Sequence, residues 1–79
     1  MQIQIQILTG RVINLYISPD DTIEEVSNKI HIKEGINPDQ QILFFNGKKL
    51  DMGDTLITMD EYHITKQSTL FLTIRNLGG

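Results

Sequence analysis

Seventy-nine residues and 9.0 kDa accommodate one small domain and no second. No cysteine is present, which excludes disulfides and thiolate metal sites, and His31 and His63 are too far apart to form a ligand motif. A net charge of −3 and a pI near 5.1 argue against a nucleic-acid partner, and no apolar run approaches the roughly 18 residues of a membrane span.

The chain opens on Met1 to Ile7, where Met1, Ile3, Ile5 and Ile7 alternate with Gln2, Gln4 and Gln6. That period of two predicts a half-buried strand rather than the continuous apolar block of a leader peptide. Leu8-Thr9-Gly10 supplies a turn, and Ile13, Leu15 and Ile17 resume the alternation, so the first two strands form a hairpin. Ser18-Pro19-Asp20-Asp21 breaks the pattern. Thr22-Ile23-Glu24-Glu25 then fits a capping box, and Ile23, Val26 and Ile30 make an apolar stripe on a helix spanning 23 to 34. Gly35 ends that helix and Pro38 prevents its resumption.

Gln40 to Phe45 reads as a third strand, with Leu43 and Phe45 on one face and Ile42 and Phe44 on the other. Asn46-Gly47 predicts a type I′ turn into a short returning strand at 48 to 50. Residues 51 to 66 read as a loop anchored by Leu56, Ile57, Met59, Tyr62 and Ile64. The segment 68 to 75 reads as a closing strand, with Leu70, Leu72 and Ile74 opposed to Phe71, Thr73 and Arg75. Residues 76 to 79 carry no pattern and are expected to form a mobile tail after a domain of residues 1 to 75. With thirteen isoleucines, eight leucines and no alanine or tryptophan, the core must be largely Ile and Leu. The order β-β-α-β-β-β gives a two-layer α+β domain in which the last strand returns between the first and third.

Several blocks together resemble one family: MQI at 1–3, LTG at 8–10, DTIE at 21–24, KEGI at 33–36, PDQQ at 38–41, Gly47-Lys48, STL at 68–70 and the terminal Gly78-Gly79. These are similar to ubiquitin, in an ungapped register from Met1 to Leu56, after which this chain carries about three extra residues within 57 to 61. The resemblance implies a β-grasp fold and the function of a protein modifier, without cofactor or active site of its own. Such a modifier is joined through the carboxylate of its last glycine, here Gly79 preceded by Gly78, to lysine amines of substrate proteins. Its partners would be activating, conjugating and ligating enzymes and ubiquitin-receptor domains. The expected setting is a monomer in the cytoplasm and nucleus.

The resemblance also places a partner-binding patch on Leu8, Ile42, Phe44, Phe71 and Thr73. Ubiquitin has isoleucine at the position of Phe44, histidine at that of Phe71 and valine at that of Thr73, so the patch here is more aromatic. Alternation independently puts Phe44 and Phe71 on the solvent side of their strands. Of the arginines that ubiquitin carries at the positions of Ile42, Arg75 and Leu77, only Arg75 remains as a contact for an activating enzyme. Each lost guanidinium removes charge-assisted contacts worth about 1.5–3 kcal/mol when well formed. Arg75 itself matches ubiquitin rather than its nearest modifier relative, which has alanine there. Lys29, Lys33, Lys48 and Lys66 match chain-forming lysines of ubiquitin and are candidate linkage sites, whereas Gln6, Arg11 and Ser27 stand where others were. Two further readings keep the fold and change the chemistry: a non-conjugated interaction domain, which could be a unit of a longer or polyubiquitin-like precursor, and a sulfur carrier using a terminal thiocarboxylate. The close likeness to ubiquitin disfavours the sulfur carrier.

Overall fold

The computed structural model describes residues 1–50 and 57–75. Strand β1 (Gln2–Ile7) and strand β2 (Val12–Tyr16) pair antiparallel, and helix α1 spans Ile23–Glu34. A short 3-10 turn at Pro38–Gln40 leads into β3 (Gln41–Phe45), followed by β4 (Lys48–Lys49) and β5 (Thr69–Ile74). The sheet order is β2-β1-β5-β3-β4. β5 lies parallel to β1 and antiparallel to β3, so the last strand does return to the centre of the sheet.

Each element follows from its local chemistry. In the first hairpin Gly10 takes φ +100°, a conformation that L side chains rarely adopt, and its N–H donates to the Ile7 carbonyl at 2.8 Å. Thr22 and Glu25 form the reciprocal capping box at the start of α1, and Gly35 ends the helix in the left-handed region with its N–H on the His31 carbonyl. Asn46 and Gly47 both have positive φ, as a type I′ turn demands.

Alternation then sorts the side chains. Ile3, Ile5 and Ile7 of β1, Ile13 and Leu15 of β2, Leu43 of β3 and Leu70 and Leu72 of β5 point inward, where Ile23, Val26 and Ile30 of the helix meet them. Burying each such side chain contributes about 1.5–3 kcal/mol, which is how the core does without a covalent staple. Leu56, expected in this core, lies outside the described residues.

Two sequence expectations need correction, and one residue departs from what its parity suggests. Gln40 belongs to the 3-10 turn rather than to the third strand, because Pro38 starts a tight turn whose last residue donates back to Asn37. β4 ends at Lys49, and Leu50 drops into the core instead. Ile74 shares the inward parity of Leu70 and Leu72 yet is 49% exposed at the end of its strand.

The segment beyond 57 is more ordered than a loop reading implies. Thr58 and Glu61 repeat the capping-box exchange of Thr22 and Glu25, with the Glu61 N–H on Thr58 Oγ1 and the Thr58 N–H on Glu61 Oε1. The Tyr62 N–H reaches the Thr58 carbonyl, closing one helical turn. The Ile64 N–H then bonds to the Met59 carbonyl, and the His63 N–H to that of Asp60. With His63 at φ +63°, this is a Schellman ending, and the buried Ile64 and Met59 supply its apolar contact. One capped turn therefore occupies residues 58 to 64. It is pinned to the start of α1 by the Thr22–Thr58 bridge and by the Met59 N–H on the Asp21 carbonyl.

Candidate functional site

The sheet has two faces, and the helix covers one. Across the other, register aligns side chains into rows. One row runs Val12, Gln6, Phe71, Phe44, Lys49 through the paired positions of all five strands. In the next row Thr73 pairs with Ile42, and the Leu8 N–H donates to the Leu72 carbonyl, which carries Leu8 alongside. The two rows bring Leu8, Ile42, Phe44, Phe71 and Thr73 onto one surface. Leu8 is the most prominent, at 67% exposed, because it sits in the turn rather than in the strand. Phe71 is 38% exposed, and Phe44, its cross-strand partner, is half-buried. Adjacent cross-strand aromatics of this kind cover one another while leaving an apolar surface open.

Ile74 was missed as a member of this region. Because it escapes the helix at the end of β5, it lines a shallow cleft with Ile7, Leu8, Thr9 and Thr73. The only available signal was its place one residue before Arg75, where the apolar pattern stops. Gln6 and Lys49 flank the aromatic pair with polar groups, so the apolar area has a wet rim, the usual anatomy of a protein-binding surface.

Beyond the patch, Arg75 is exposed, and its N–H donates to the Gln40 carbonyl at 2.6 Å, fixing where the chain leaves the sheet. Gly78 and Gly79 lie outside the described residues. The four candidate linkage lysines are not equivalent. Lys48 and Lys66 are exposed. Lys29 donates to Asp21 Oδ2 at 2.6 Å and to the Tyr16 carbonyl at 3.3 Å. Lys33 donates to the Asn14 carbonyl.

Asp21 holds the corner between β2 and the helix. Burial pushes its carboxyl up, but the Lys29 ammonium and the Ser18 N–H outweigh that and hold it below its usual value. Under the helix, Gln41 is buried and donates to the carbonyls of Ser27 and Ile36 at 3.0 and 2.9 Å. Alternation places Gln41 opposite the patch, with its amide sewing β3 to α1. His31 and His63 are both exposed, and no cluster of metal-ligating side chains occurs among the described residues.

The model of the ubiquitin family matches residues 3–77. The chain is 40% identical to "Ubiquitin-like protein NEDD8" of Dictyostelium discoideum over all 79 residues, covering 99% of that protein. It is 37% identical to "Ubiquitin-like protein 1" of Schizosaccharomyces pombe and 37% to "NEDD8-like protein RUB3" of Arabidopsis thaliana, each match spanning this whole chain and 97% of the other.

Proposed function

The chain belongs to the ubiquitin family, and from that premise we propose that it is a conjugated modifier, attached through the Gly79 carboxylate to lysine amines of other proteins. The observation that carries this reading is the full-length likeness to proteins named ubiquitin-like and NEDD8, combined with a sequence that places Gly78-Gly79 after the last strand. Two glycines suit the role physically. Without Cβ atoms they thread a narrow channel, and the acyl carbon stays open to a nucleophile.

An activating enzyme would adenylate the Gly79 carboxylate with ATP, releasing pyrophosphate. A cysteine thiolate then displaces AMP to give a thioester, and a lysine amine finally displaces the thiol. The modifier contributes no catalytic group, being the thing transferred. Arg75 would contact the activating enzyme, and the Leu8, Ile42, Phe44, Phe71, Thr73 surface would be read by receptor domains once the modifier is attached. Such a protein works as a monomer in the cytoplasm and nucleus, where substrate lysines and the cascade enzymes meet.

The experiment is direct. Incubated with ATP and the activating enzymes for ubiquitin and for NEDD8 in turn, the chain is expected to form an adduct with one of them that a thiol reductant cleaves. Deleting Gly78-Gly79 should abolish the adduct while leaving the circular dichroism spectrum unchanged, and Arg75→Ala should slow its formation by the ubiquitin enzyme. An interaction domain would give the opposite result: no thioester with either enzyme, and receptor binding indifferent to loss of the two glycines.

A further inference from the structure

β2 is the last strand on its side of the sheet. The Ile7 N–H donates to the Arg11 carbonyl at 2.8 Å and the Ile17 N–H to that of Met1 at 2.7 Å. Odd-numbered residues of this strand therefore turn their backbone toward β1, and Val12, Asn14 and Tyr16 turn theirs outward. An outward row of backbone groups is a template on which another strand can pair. Here two lysine side chains of the helix reach two of its carbonyls. Lys29 and Lys33 lie one helical turn apart, on the same flank, and their ammonium groups donate to the carbonyls of Tyr16 and Asn14. The Lys29 ammonium also holds Asp21 Oδ2 at 2.6 Å, and that carboxylate is buried. Arg11 and Glu34 extend the same line of contacts with a 2.9 Å ion pair.

We propose that Lys29 and Lys33 form a latch over the outer edge of β2 that acylation opens, so that a modification on these amines changes the structure of the domain as well as marking it. In acylation by a thioester or an activated ester, the amine sheds its proton and attacks the acyl carbonyl. A C–N bond forms, the bond to the leaving sulfur or oxygen breaks, and the leaving group carries away the electron pair and takes up the proton. The resulting amide has a single N–H and no charge. Asp21 is left as a buried carboxylate without its cation, and the Asn14 and Tyr16 carbonyls lose charged donors. Two consequences follow from one geometry. The latched amines react slowly, because they must first leave their partners, and once they have reacted the edge of β2 loosens. Neither consequence depends on whether Gly79 is ever activated, so the latch stands or falls apart from the modifier reading.

Limiting N-acetoxysuccinimide on the intact chain, followed by peptide mass spectrometry, measures the first. Lys29 and Lys33 should acetylate about tenfold more slowly than Lys48, Lys49 and Lys66, the factor one charge-assisted hydrogen bond carries. Equal rates at all five lysines would overturn the proposal. Hydrogen exchange measures the second. A Lys29→Gln, Lys33→Gln pair, which mimics the acylated side chains, should exchange about tenfold faster at Ile13 and Leu15, with β3 and β5 unchanged, whereas Lys29→Arg, Lys33→Arg should keep native protection. Native exchange in the glutamine pair, or acceleration spread evenly through the sheet, would sink the latch. If the glutamine pair fails to fold, the acetylation rates on the native chain decide alone.

Discussion

Asp21 shows how one side chain organises a corner. Its carboxylate accepts from the Ser18 N–H and from Lys29, and its carbonyl accepts from Met59, so the entry to the helix, the edge strand and the distant capped turn meet there. The carboxyl is held below its ordinary value of 3.8 in the fold. A depressed value means that the folded state binds its proton less readily than the unfolded chain does. The group's contribution to stability is therefore fully present above pH 3.8 and is lost as the pH falls through the lower folded value. Urea unfolding should find Asp21→Asn less stable than the native chain by about 1–3 kcal/mol at neutral pH. The gap should close in acid. A gap that does not depend on pH would mean that the carboxylate's charge is irrelevant to the corner.

At the scale of elements, His63 occupies a position that glycine usually fills. As the left-handed residue of the Schellman ending after Glu61, it bears a backbone cost that a glycine would avoid. His63→Gly is expected to raise stability by about 0.5–1 kcal/mol, after allowing for glycine's extra freedom in the unfolded chain, and thermal unfolding would show it as a higher midpoint. A lower midpoint would mean that the imidazole has an unrecognised partner. The two capping boxes also show what a sequence makes legible. Thr22-x-x-Glu25 precedes an apolar stripe at helical spacing and could be read directly. Thr58-x-x-Glu61 has the same spacing, but its turn is one repeat long, too short for any periodicity to announce it. The hairpins and the shared facing of Phe44 and Phe71 were readable for the same reason as the long helix, since alternation and the glycine turns act locally. Gln41 was not, because burying an amide depends on carbonyls supplied by Ser27 and Ile36 from another layer. Ile74 obeyed parity and was exposed anyway, since parity says which way a side chain points but not whether anything lies there.

Over the whole molecule, one face of the sheet holds the fold and the other is available for contact. Phe44→Ala and Phe71→Ala should therefore leave cooperative unfolding intact, with losses within about 1.5 kcal/mol, below the 3–5 kcal/mol typical of a fully buried phenylalanine. Titration against an isolated ubiquitin-receptor helix should show binding weakened by each change and removed by both. Collapse of the fold on either change would show that this face carries core weight. The pairing in the middle of the sheet has a further consequence, for the timing of folding. β1, made first, finds its parallel neighbour in β5, with Gln4 beside Thr69 at the far end of the described span. A nascent chain on the ribosome can form the first hairpin and the helix, but it has an open slot where the sheet's central strand belongs. Such distant partners meet slowly, because the loop between them must close before any contact rewards it. The domain therefore cannot finish folding until translation has passed Ile74, and a folded β-grasp is itself proof that synthesis has gone beyond the central strand.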